Sequence, residues 1–158
     1  MSWQRGWKDE RGFTLVEVMV VIILMLIVFG IASSTWFRVA ESRRVDSATN
    51  QVVADLRLAH TQAKNRLIET SFVVLSADSS TYQVGPAEDL ETRNLPGDDQ
   101  GTPKTKILDA TTITFHSNGS AEIDPAGDIT VTTTDGDPDD PFHTINVNTV
   151  TSRVKVVN

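Results

Sequence analysis

Between Phe13 and Ala32 the sequence is almost unbroken Val, Ile, Leu, Met and Phe, with Glu17 as its one ionisable residue. Twenty residues of helix rise about 30 Å at about 1.5 Å per residue, which matches the hydrocarbon thickness of a bilayer. A buried core helix is the competing reading. It fails because the rest of the chain is polar, rich in Thr and Asp and poor in aromatics, and cannot enclose so apolar a segment on every side. The sequence therefore predicts a membrane helix over 13–32 and a small extramembrane head.

A cleaved secretory signal would place its apolar stretch ahead of a small-residue cleavage site and then lose it. Here the order differs. A short charged leader, residues 1–12, ends in Arg11-Gly12, and the run Phe13-Thr14-Leu15-Val16-Glu17-Val18 leads directly into more helix. An ionisable group inside a membrane helix costs roughly 2.5–3.5 kcal/mol at the centre on insertion scales, and less near an end. Glu17 lies four residues inside the apolar segment, so some compensating role is needed to retain it. Lys and Arg number three before the span (Arg5, Lys8, Arg11) and three shortly after it (Arg38, Arg43, Arg44), so charge alone does not orient the helix.

Arg-Gly-Phe-Thr-Leu-Val-Glu followed by a long apolar run resembles the class III signal of type IV pilins and type II secretion pseudopilins. The resemblance implies a bacterial inner-membrane protein with a cytoplasmic N-terminus and an extracytoplasmic head. It implies cleavage by a prepilin peptidase between Gly12 and Phe13, with N-methylation of Phe13. It also implies pairing of Glu17 with the N-terminal amine of a neighbouring subunit during filament assembly. Other pilin or pseudopilin subunits and membrane lipid are the expected partners, and secreted cargo is a further one.

Past the membrane, Val45, Ala48, Val52, Leu56, Ala59, Ala63 and Leu67 recur every three or four residues, the signature of one apolar helix face. Arg44, Asp46, Asn50, Asp55, Arg57, Gln62, Lys64 and Arg66 read as the opposite, polar face. With neither Pro nor Gly from 31 to 70, the helix is expected to continue over 33–69, to about Ile68. After Thr70 the period changes to two. Residues 71–76 and 81–85 read as one hairpin, 86–106 as a long loop, and 112–116 with 120–123 as a second hairpin turning at Asn118-Gly119. Residues 128–134, 143–148 and 151–157 read as three further strands. The expected fold is α+β: a long N-terminal helix, half membrane-spanning and half amphipathic, packed on an antiparallel β-sheet head over 70–158.

This layout resembles the H-type minor pseudopilins, the GspH/FimT family. The local matches are the helix with Leu56, Ala59 and Ala63, then Ile113-Thr114-Phe115 before Asn118-Gly119, and the closing Arg153-Val154-Lys155-Val156. Family members often carry Gly-Arg-Val near the end, where this chain has Ser152-Arg153-Val154. Some FimT-type relatives bind DNA through C-terminal basic residues, which makes Arg153 and Lys155 the candidate DNA contacts. The formal charge is −7, and residues 13–158 carry −8, so a broad electrostatic grip on nucleic acid is not expected.

Nothing in the sequence points to catalysis or to a cofactor. His60, His116 and His143 have no metal-ligand spacing, there is no cysteine, and no nucleotide-binding or zincin motif appears. Asp135, Asp137 and Asp139 are the candidate calcium ligands, but the EF-hand pattern fails at Gly136 and Asn146, and a solvated acidic turn is the simpler reading.

Overall fold

The computed structural model describes residues 13–97, 103–135 and 140–157, without the side chains of residues 33–35 and 37. The chain divides into two compact units after Arg38. In the first, helix α1 (Leu15–Arg66) begins behind Thr14. The Thr14 hydroxyl and carbonyl both accept from the Glu17 amide, at 3.2 and 3.1 Å, so Thr14 caps one of the first-turn amides. The helical assignment runs through Gly30 and Ser33-Ser34 without a break.

In the second unit, Val39–Asn158, the rest of α1 lies in the core of the head. Val45, Ala48, Val52, Val53, Leu56, Ala59 and Ala63 are buried, which is the predicted stripe with Val53 added and without Leu67, which is exposed beyond the helix end. Lys64 and Arg66 occupy the last turn, where cations complement the helix dipole. The helix stops at Arg66 rather than Ile68, because Leu67 adopts φ 54° and turns the backbone out of the helix.

Nine strands follow: β1 (Thr70–Val74), β2 (Thr81–Pro86), β3 (Glu91–Asn94), β4 (Thr105–Ile107), β5 (Thr111–Phe115), β6 (Ala121–Asp124), β7 (Ile129–Thr133), β8 (Phe142–Val147) and β9 (Val154–Val157). They form two antiparallel sheets, β3-β2-β1-β5-β6 and β4-β7-β8-β9. In the first sheet, register aligns Val84, Phe72, Ile113 and Ile123 in one row across four strands. Alternation on β2, β5 and β7 places Tyr82, Val84, Ile113, Phe115, Ile129 and Val131 inward, where they meet the buried stripe of α1 in a single cluster.

Three details differ from the sequence reading or add to it. The expected loop 86–106 contains β3 and the start of β4. Its Pro, Gly and acid content hides a four-residue strand that the open edge of β2 pairs from Thr81↔Asn94 to Val84↔Glu91. At the second hairpin only Gly119 has positive φ (87°), with its amide bonded to the His116 carbonyl at 3.0 Å and the His116 amide to the Ser120 carbonyl at 2.9 Å. That is a type I turn closed by a bulge at Gly119, a geometry the sequence reading left unspecified. Asp55, read as part of the solvent face, is buried at the border of the apolar stripe.

Candidate assembly segment and head groove

The N-terminal segment is apolar and wholly uncovered. Leu15–Ala32 has a mean hydropathy of 3.0, and none of it is buried within the chain. Phe13, which precedes the helix, is 81% exposed. Eighteen helical residues rise about 27 Å, close to the thickness of a bilayer's hydrocarbon core. Glu17 is the segment's one charge and stands at the third helical position, where a carboxylate faces the positive end of the helix dipole. Thr14-x-x-Glu17 has the spacing of a capping box, and its Thr14 half is formed. Gly12 lies outside the described residues.

Arg153 and Lys155, expected to alternate along the last strand, flank buried Val154. Both are exposed, but Arg153 precedes β9, and Lys155 lies within it opposite Asn146. Arg153 lines a shallow groove of about 490 Å³ with Thr151, Ser152, Val154 and, from α1, Arg57 and His60. Lys155 is not part of that lining. Arg57 had been read only as a solvated charge on the helix. Its spacing of three from His60 was the available signal that both share a face.

The backbone leading into Arg153 is tightly held. Ser152 stands at the position of the expected Gly and adopts φ 52°, the left-handed conformation glycine tolerates best. Its buried hydroxyl donates to the Gly119 carbonyl at 2.8 Å, and its amide donates to the Asn148 carbonyl at 2.7 Å. The Asn148 carboxamide oxygen accepts from the Val150 and Thr151 amides and from the Thr151 hydroxyl.

A second polar cluster went unrecognised in the sequence. The Tyr82 hydroxyl donates to Asp55 at 2.5 Å, and Arg93 donates to the other carboxylate oxygen at 2.8 Å and to Glu91 at 3.1 Å. Gln51 donates to the Tyr82 oxygen and to the Asn94 carbonyl, each at 2.9 Å. Burial first, then the hydrogen bond into Asp55, push the Tyr82 hydroxyl well above the usual phenol range. The hydrogen bond to Glu91 is the largest of the effects that raise the Arg93 guanidinium further. The cluster binds β2 and β3 to α1, and Glu91 and Arg93 also line an open pocket of about 350 Å³ with Leu58, Gln62, Arg66 and Asp89.

The histidines take separate partners. His60 packs against Phe115 with ring centroids 5.8 Å apart, His116 meets Glu69 at 2.7 Å, and His143 meets Asp46 at 2.7 Å. Among the described residues no group of three His, Asp or Glu is placed to hold a metal. Of the candidate calcium ligands, Asp135 is exposed and within 3.5 Å of the Thr134 hydroxyl, while Asp137 and Asp139 lie outside the described residues.

Residues 7–33 match the family described as the prokaryotic N-terminal methylation motif. No curated protein matches the chain. In fold the chain is similar to the type IV minor pilin FimU of Pseudomonas aeruginosa PAO1 in two crystal forms. The P65 form is 17% identical, with 72% of this chain and 92% of that chain covered and a TM-score of 0.51. For the P21 form the values are 16%, 73%, 90% and 0.54. At that identity the likeness speaks for the fold. A methylation motif over residues 7–33 is thus followed by a fold similar to that of a minor pilin.

Proposed function

We propose that this chain is a minor subunit of a type IV pilus-like or type II secretion filament, acting by assembly and not by catalysis. The observation that carries the reading is the uncovered segment Leu15–Ala32, with Glu17 as its one charge, inside a stretch that matches the methylation motif. A head of this size gains nothing from so large an apolar surface unless lipid or other helices cover it. A prepilin peptidase cuts between Gly12 and Phe13 and methylates Phe13, and the retained helix anchors the chain in the inner membrane with the head outside. Glu17 pairs with the amine of a neighbouring subunit and sets its axial position. Lipid tails are as apolar as the helix itself, so packing and this pair supply the specificity of association. Within the class, the H-type of minor pseudopilin or pilin is the reading we favour, since the order of helix and strands resembles that group.

The test is intact mass and N-terminal sequencing of the membrane-purified protein, co-expressed with a prepilin peptidase. A chain beginning at N-methylated Phe13, and left uncut when Gly12 is replaced by Val, is the expected result. A chain that still begins near Met1, or one cut after the apolar run, would sink the proposal.

A further inference from the structure

The groove between α1 and the β8–β9 turn is basic in a head that is not. Val39–Asn158 holds 18 Asp and Glu against 10 Lys and Arg. Yet Arg57 and His60 from the helix and Arg153 from the turn line one shallow depression of about 490 Å³. Among the described residues no ion pair engages Arg57 or Arg153, whereas Arg93 and Lys106 are both paired with carboxylates. The wall that carries Arg153 is fixed by Ser152, which is held left-handed by hydrogen bonds to Asn148 and Gly119. Such a conformation is unfavourable for a non-glycine residue and is retained only where its surroundings impose it. His60 is steadied by Phe115, and Val154 adds an apolar wall.

We infer that this groove docks a carboxylate side chain of an acidic peptide segment on a neighbouring filament subunit, a proposal that rests on the filament reading above. Guanidinium forks match carboxylates in two-point geometry, and two of them lining one groove without a carboxylate partner among the described residues attract an anion to it. The same charge count decides against a polyanion. A nucleic acid strand would extend well beyond the groove and meet the field of a head carrying −8, while a single carboxylate feels mainly the cations within a screening length of about 8 Å.

The test uses the full chain in detergent micelles. The probes are a fluorescent Gly/Ser peptide with two Glu, the same peptide with Gln in their place, and an oligothymidine of equal charge. The Glu peptide is expected to bind saturably, to weaken with added salt and to shift the His60 ring resonances. Arg57→Gln and Arg153→Gln, which keep most of the side-chain bulk, should each weaken it about tenfold or more, and Lys155→Gln less than twofold. Unchanged thermal unfolding of the variants shows that the fold is kept. Equal binding of the Gln peptide, indifference to both Arg substitutions, or no binding at all would overturn the proposal. Tighter, Arg-dependent binding of the oligothymidine would also overturn it, in favour of a nucleic acid surface. The two readings fail separately. Loss of processing at Phe13 with peptide binding intact removes the filament context, and normal processing with no peptide binding removes only the groove.

Discussion

The Tyr82 hydroxyl reaches across from β2 to the Asp55 carboxylate on α1 at 2.5 Å, joining residues 27 positions apart. Because Arg93 and Gln51 meet the same pair, α1, β2 and β3 share one buried polar junction. Tyr82→Phe removes a hydrogen bond to a charged group and should cost about 1.5–3 kcal/mol. Asp55→Ala strands both the Tyr82 hydroxyl and Arg93 and should cost more, about 3 kcal/mol or above. Urea unfolding of the two variants beside the parent checks the order.

Tyr82 is the chain's single tyrosine, which makes its ionisation directly readable. Its folded pKa is raised, so above the ordinary value of 10.0 the unfolded chain gives up a proton that the folded chain keeps. The stability associated with this group is therefore full below pH 10 and declines as pH rises, by about 1.4 kcal/mol per unit. The tyrosinate absorbance should appear only with unfolding, and Tyr82→Phe should flatten the alkaline loss of stability. A reversible phenolate signal near pH 10 in the folded protein would contradict this.

Ser152 combines an unfavourable backbone conformation with a useful hydroxyl. Ser152→Gly relieves about 1–2 kcal/mol of strain and loses one hydrogen bond, so the net change should stay within about 1 kcal/mol. Ser152→Ala keeps the strain and leaves the Gly119 carbonyl without that donor, and should cost about 1–3 kcal/mol. Thermal unfolding should rank parent and Gly variant together, with the Ala variant below them.

Glu17 has two separable duties, a charge in an apolar segment and the third position of a helix cap. Glu17→Gln retains the capping-box residue type and loses the charge. Cleavage after Gly12 should continue, while incorporation into sheared filaments falls at least about tenfold. Normal incorporation of the Gln variant would reduce Glu17 to a capping residue.

The apolar run, the helix stripe and the principal hairpins were legible because each depends on local periodicity. The i, i+3, i+4 pattern from Val45 to Ala63 marks the buried face, alternation marks β5 and most of β2, and β1 is a short apolar run buried at the centre of its sheet. What escaped depends on distant partners. β3 is a strand because β2 has a free edge, Asp55 is buried because Tyr82 and Arg93 come to it, and Arg57 acquires a setting only when the β8–β9 turn folds opposite it. Ser152, which departs from the Gly that the resembled family often carries, still adopts a left-handed conformation, and its hydroxyl contact with Gly119 could not be read from the sequence.

The bond from Ser152 to Gly119 joins the turns of two different sheets, and the Ala121 amide reinforces it by donating to the Thr149 carbonyl at 2.8 Å. Fraying of the C-terminal meander therefore pulls on the β5–β6 hairpin, and neither sheet can open at this end alone. In amide exchange the two should behave as one cooperative unit, with protection rising and falling together across both.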